Sequence, residues 1–308
     1  MGSGGRGRSG GRGIVGWQQV GGAAWAQPGG DSEEDLCGKG NEGESCAQGL
    51  LHVQPIEPLN GAVGDEEDEE EVEDRGGAII GLTAAMENLA KRVLLGEKDP
   101  HVACVWRVLL SQQGGAEALA RRILDYRLTR ERVLEDLSKQ PRDEMEHAFQ
   151  TILRNRVQRG GILAAGASVM KTGENGRGIA SRWYPETLAR RIRGIGLCRH
   201  RMEFVEGDAF DLIRGHLRAK GTALFLDPPY TAGGKRAGRR LYTCNDVDHE
   251  DLFKLASSAA GAVMLTYDDA PEVRYLAQRH GFHVQTTPMK NTHHATMVEL
   301  VITKQPQA

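Results

Sequence analysis

At 308 residues the chain is long enough for one large domain or for one carrying an inserted module, and 39% hydrophobic residues suffice for a sizeable core. No apolar run approaches the roughly 20 residues that a membrane helix needs, and the Gly/Arg-rich start lacks the apolar stretch of a secretory signal, so a soluble cytoplasmic protein is expected. The five cysteines (Cys37, Cys46, Cys104, Cys198, Cys244) are odd in number and scattered without a Cys-x-x-Cys pair, which argues for reduced thiols.

The formal net charge of -3 is unevenly spread. Asp65 to Asp74 holds nine acidic residues and one valine, and setting those nine against the total leaves +6 for the rest. Thr151 to Arg201 carries eleven Lys/Arg against two Glu, a net +9, and Thr231 to Leu241 adds four basic residues without an acid. Such a local excess suits a polyanionic partner, although a solvated Arg-rich helical surface has the same composition.

In chain order, residues 1–75 read as a low-complexity, acidic, disordered extension. Order is expected after Gly76, with Ile79, Leu82, Met86 and Leu89 on one helical face, a short strand at Val93-Leu94-Leu95, and a helix capped by Asp99-Pro100 that carries Val102, Val105, Trp106 and Leu109. Residues 111–195 are mostly helical and charged, are broken by the glycine-rich section Gly160 to Gly178, and do not continue the alternation, so they form an insert. Alternation resumes with a strand at Met202 to Val205, a helix through Phe210, Ile213 and Leu217, and a strand at Ala223 to Leu226. A helix through Leu252, Phe253 and Leu255, a strand at Ala262 to Tyr267 and a helix around Val273 and Leu276 follow. Strands at Phe282 to Thr287 and Met297 to Ile302 close the chain. The fold class is α/β, with a mostly parallel sheet built from 76–110 and 196–304 and an antiparallel edge.

Leu224-Phe225-Leu226-Asp227-Pro228-Pro229-Tyr230 is the sharpest chemical signal: an apolar strand ends in an acid, two prolines and an aromatic ring. Ligands of open α/β sheets bind at the carboxyl ends of strands. Two prolines fix φ and remove two N–H donors, which leaves a stiff turn whose carbonyls can face a ligand. The Asp227 carboxylate and the Pro228 carbonyl can together accept both hydrogens of an exocyclic amine, and Tyr230 offers a face for a base extruded from a duplex. An ordinary strand-to-loop turn also favours Asp and Pro.

Beyond this loop, Asn155-Arg156 with the glycines after it, Arg182-Trp183-Tyr184-Pro185, Gly207-Asp208-Ala209-Phe210, Arg240-Leu241-Tyr242, Asp248-His249-Glu250, Tyr267-Asp268-Asp269 and Asn291-Thr292-His293-His294 complete a pattern. With it, Thr151 to Lys304 resembles the N6-adenine-specific DNA methyltransferases whose target-recognition region is inserted before a DPPY motif. The resemblance implies a Rossmann-like, S-adenosylmethionine-dependent catalytic domain (76–110 and 196–304), a helical DNA-binding target-recognition insert (111–195), and a restriction-modification or phage-like setting. It also implies S-adenosylmethionine as methyl donor and adenine N6 in double-stranded DNA as acceptor, with Asp227, Pro228, Pro229 and Tyr230 as catalytic residues. Gly76 and Gly77 open a helix, and Glu97 follows the next strand twenty residues after Gly77, a spacing that suits a βαβ nucleoside site. By the resemblance Gly76 and Gly77 wrap the methionine portion of the cofactor, Glu97 holds its ribose, Asp208 and Phe210 contact its adenine, and Asp227 also lies beside it.

Lys235, Arg236, Arg239 and Arg240 stand just beyond the catalytic loop, where they can hold phosphates, and Arg154, Arg156, Arg159, Arg177 and Arg182 lie in the insert. His249, His293 and His294 lack a companion set at ligand spacing, so structural or DNA-contact roles are expected and no metal. A monomer without membrane contact is the expected form. The chain departs from the family in having Glu73-Asp74-Arg75 where an apolar strand precedes the glycines, and in lacking a counterpart of the N-terminal Gly-Gly-Lys segment. Either His52 to Leu59 supplies that first strand, with the acids looped out, or the strand is missing. The alternatives are therefore a DNA-binding remnant with impaired cofactor binding, or methylation of RNA adenine or of a glutamine amide.

Overall fold

The computed structural model describes residues 50–55, 78–163, 167–173, 176–229, 247–290 and 296–305. Seven strands form one sheet: β1 (Leu50–Pro55), β2 (Ala90–Glu97), β3 (Met202–Glu206), β4 (Ala223–Leu226), β5 (Ala262–Asp268), β6 (His283–Lys290) and β7 (Thr296–Lys304). Their spatial order is β3-β2-β1-β4-β5-β7-β6. This is the doubly wound order 3-2-1-4-5-6 with the last strand tucked in beside β5. β2 runs parallel to β3 and β4 parallel to β5, while β7 is antiparallel to β5 and to β6, as the two closing strands predicted.

The centre of the sheet differs from expectation. Leu50–Pro55, inside the stretch read as a disordered extension, occupies the position between β2 and β4. It starts two residues before the proposed His52 and runs antiparallel to both neighbours, pairing Leu50 with Gly96 and with Leu226. The sheet is therefore mixed, with β1 and β7 reversed against five codirectional strands. Sequence periodicity carries no information on strand direction, and an apolar Leu-Leu-His-Val segment can fill a central slot in either sense.

Among the described residues, three hydrophobic cores form. The first lies between β4, β5 and β7 and the helices α7 (Ala209–His216), α8 (His249–Ser257) and α9 (Pro271–Arg279), around Ile213, Leu252, Phe253, Leu265 and Tyr267. A second, smaller one joins α1 (Ala78–Met86) to β2, with Ala84, Ala85, Val93, Leu95 and Phe225. The burying face of α1 is Gly81, Ala84 and Ala85. Met86 and Leu89, placed on one helical face by spacing, are exposed, and Leu89 lies beyond the helix. The small residues let α1 approach the sheet closely, a choice that a scale weighted toward large apolar side chains overlooks.

The third core belongs to the segment between β2 and β3. It gathers α2 (Pro100–Leu110), α3 (Gly115–Leu124), α4 (Arg130–Ser138), α5 (Glu144–Val157) and α6 (Pro185–Cys198) around Leu119, Ile123, Phe149, Leu153 and Trp183. Each of these large side chains contributes about 1.5–3 kcal/mol by burial. Asp99 caps α2 by accepting from the His101 N–H at 2.8 Å, as its Asp-Pro start predicted. Because α2 shares this core, the insert is bolted to the loop that follows β2. His101 on α2 and His147 on α5 reinforce that joint, with Nδ1 and Nε2 2.8 Å apart.

Gly261 enters β5 against the backbone. A Cβ there would lie 2.1 Å from the Thr222 carbonyl oxygen, the group that accepts from the Ala262 N–H. Gly261→Ala is expected to cost about 2 kcal/mol through forced backbone shift, read as a lower urea midpoint at unchanged m.

Candidate active site

The codirectional strands bring the carboxyl ends of β2, β3, β4 and β5 to one edge of the sheet. Glu97 ends β2, and the first turn beyond β3 holds Gly207 and Asp208. The two loops are tied together: Gly207 N–H donates to the Glu97 carbonyl at 3.0 Å, and Lys98 Nζ pairs with Asp208 Oδ2 at 3.2 Å. Asp208 also caps α7 through the Phe210 N–H at 2.8 Å. The switch in chain direction falls between β1 and β4, the crevice where doubly wound sheets take ligands.

Glu97 is a half-buried acid whose Oε1 accepts from the Asp99 N–H at 2.8 Å. Burial pushes its carboxyl from 4.5 up to about 7, and the nearby Asp99 charge adds to the rise while the Asp99 and Lys98 amides oppose it. Above that pH it is ionised and can accept two hydroxyls. Phe210 is buried in the first core, with the Arg214 guanidinium 5.8 Å from its ring centre. Its ring therefore packs the helix against the sheet, and a role toward a ligand falls to the loop before it.

Asp227 follows β4 directly, half-buried, with Pro228 and Pro229 both buried behind it. Thr266 Oγ1 on β5 donates to Asp227 Oδ1 at 2.6 Å. Period-two alternation puts Thr266 and Asp268 on one face of β5, and Glu299, opposite Asp268 on β7, shares it. Three acids thus crowd around one corner of the edge. Glu299 is pushed from 4.5 up to about 7, first by burial and then by the charges of Asp227 and Asp268. On the other face, the fully buried Tyr267 is 2.9 Å from His249 Nδ1 through its hydroxyl and stacks on Phe253.

Gly76, Gly77, Tyr230, Lys235, Arg236, Arg239, Arg240, His293 and His294 lie outside the described residues. Of the insert arginines assigned to DNA, Arg159 is exposed, whereas Arg154, Arg156 and Arg182 are half-buried. Arg154 donates to the Leu137 carbonyl at 3.4 Å, and Arg182 to the carbonyls of Asn155 and Gln158. Asn155 Nδ2 donates to the Gly161 carbonyl at 3.2 Å. Gly160 and Gly161 adopt φ of 67° and 69°, which favours glycine. The Asn155, Arg182 and double-glycine pattern is therefore a backbone clamp for this turn. Arg177 lies exposed with its guanidinium 5.4 Å from the ring centre of the exposed Tyr184.

Sequence reasoning missed Thr266 and Glu299. The signal for Glu299 was an acid in an otherwise apolar run, Met297 to Ile302. Nothing marked Thr266, since threonine is common in strands. An apolar groove lined by Ile80, Thr83, Ala223, Phe225, Met264 and Thr303 opens at the starts of β4 and β5, the edge opposite Asp227. Among the described residues no group of three His, Cys, Asp or Glu is arranged to hold a metal, and no helix is long and apolar enough to cross a membrane.

No family model matches the chain, and no curated protein matches it. Among solved structures, a candidate RNA methyltransferase from Pyrococcus horikoshii is similar at 15% identity and a TM-score of 0.25, over 62% of this chain and 98% of that one. A superposition at that level bears no functional weight.

Glu299 binds its proton more tightly folded than unfolded. Its contribution to stability is full below about 4.5 and lost as pH rises through about 7. Urea unfolding across that window is expected to show a steeper decline for the wild type than for Glu299→Gln; equal slopes would mean that Glu299 titrates as an exposed acid.

Proposed function

We propose that the chain is an S-adenosylmethionine-dependent methyltransferase acting on the N6 amine of an adenine extruded from duplex DNA. What supports the reading is the meeting, at the switch point of one sheet edge, of a ribose-type acid after β2, a capped Asp208 turn after β3 and the Asp-Pro-Pro turn after β4. S-adenosylmethionine, when bound, supplies a methyl group carried on a sulfonium. The protein's own part is positional and electrostatic. Glu97 accepts the two ribose hydroxyls, and Asp208 closes the far side through its hold on Lys98. The Asp227 carboxylate and the Pro228 carbonyl accept the two amine hydrogens, which keeps the nitrogen lone pair out of the ring and directed at the donor. The net +9 of Thr151 to Arg201 supplies salt-sensitive affinity for phosphates.

One observation favours a second reading, a DNA-binding protein with impaired cofactor binding. Because β1 is reversed, the chain leaves it at Pro55 beside Ala90, opposite the edge of Glu97 and Asp227. A dinucleotide-type glycine turn leaves the first strand at the ligand edge. Calorimetric titration separates the readings: heat with S-adenosylmethionine supports the enzyme, and no heat with DNA binding retained supports the remnant.

Tritium transfer from labelled S-adenosylmethionine to duplex DNA is expected, reduced by at least about 100-fold in Asp227→Ala. Structured RNA and protein run in parallel assign the acceptor class, and transfer surviving in Asp227→Ala would refute the role given to the loop. Since Glu97 must be ionised to accept two hydroxyls, affinity for S-adenosylmethionine is expected to weaken as pH falls through about 7. Glu97→Gln should flatten that dependence; an unchanged pH profile would remove Glu97 from the site.

A further inference from the structure

Asp227 shares its corner of the sheet edge with two further acids. Asp268 and Glu299 share its face of the sheet edge, and both add to the local negative potential. Tyr267, on the opposite face of β5, has its hydroxyl pushed well above its usual range, first by burial and then by the charges of Asp227 and of Glu272 on α9. His249 of α8 meets the Tyr267 hydroxyl. Against this, Thr266 Oγ1 donates to Asp227 Oδ1 at 2.6 Å, a short charge-assisted bond. A hydrogen bond to the charged form of an acid favours that form, and here it also fixes the plane in which the carboxylate faces the crevice. Thr266 sits on a strand paired on both sides, with Leu226's partner Leu265 before it and Val301 across from it, so the hydroxyl is rigidly presented.

We propose that Thr266 is the positioning residue of Asp227: its hydroxyl holds Oδ1 and so orients that carboxylate toward the acceptor amine. The inference rests on the methyl-transfer reading for its use and on the geometry for the contact itself. Glu299, beyond the reach of that donor in the hydrogen-bond pattern, holds its proton to near neutrality.

Carboxyl 13C NMR titration, with Asp227 assigned by comparison with Asp227→Asn, reads the contact without any need for activity. In Thr266→Val the Asp227 midpoint is expected to rise by about one pH unit, and in Thr266→Ser to stay near the wild type. Methyl transfer by the same proteins should fall about tenfold in kcat for Thr266→Val, with KM for S-adenosylmethionine within about twofold, and recover in Thr266→Ser. Should Thr266→Val unfold, the serine and an alanine variant carry the comparison. An Asp227 midpoint that does not move on loss of the hydroxyl overturns the proposal whatever the activity. A shifted midpoint in proteins that transfer no methyl group supports the hold of Thr266 on Asp227 and refutes the methyl-transfer reading instead.

Discussion

Leu226 closes a four-residue strand that is paired on both sides, to Leu50 of β1 and to Leu265 of β5, and the next residue is Asp227. That double pairing fixes where the acid stands. β4 is buried along Leu224, Phe225 and Leu226, with Leu224 and Leu226 turned into one core and Phe225 into another. A slip of one residue would exchange the two faces and carry Asp227 away from Thr266. The buried prolines behind it remove the freedom by which a loop could absorb such a slip.

The same strand pairing makes the reversal of β1 consequential. Its direction leaves the order of the sheet intact and keeps β2 and β4 codirectional, so the acids at the ends of β2, β3 and β4 still meet at one edge. What changes is where β1 ends, because Pro55 lies at the other side of the sheet, beside Ala90. The acidic corner around β4 and β5 is thus independent of the first strand's direction.

Much of this was legible in the sequence. The Ala223 to Leu226 strand, the helices around Ile213, Phe253 and Leu276, the helical insert and the Asp99 cap all follow from apolar period and capping chemistry. Asp227 and Glu97 were legible because an acid at a strand end is out of keeping with the apolar run before it. Strand direction at β1 was not legible, since alternation reads alike both ways. For Arg154 and Arg182, composition does not distinguish a guanidinium tied to main-chain carbonyls from one aimed at phosphate. Thr266 and Glu299 become visible only through the β4, β5 and β7 register, which brings positions 39 and 72 residues beyond Asp227 to its side.

On the proposed reading, the loops after β2, β3 and β4 line a single pocket for a methyl donor. Ultraviolet photolabelling of the full chain with tritiated S-adenosylmethionine, followed by peptide mapping, tests it directly. Label in peptides containing Glu97, Asp208 or the Asp227 loop, competed away by unlabelled S-adenosylmethionine, is the expected result; competed label confined to other peptides, or none at all, would contradict it.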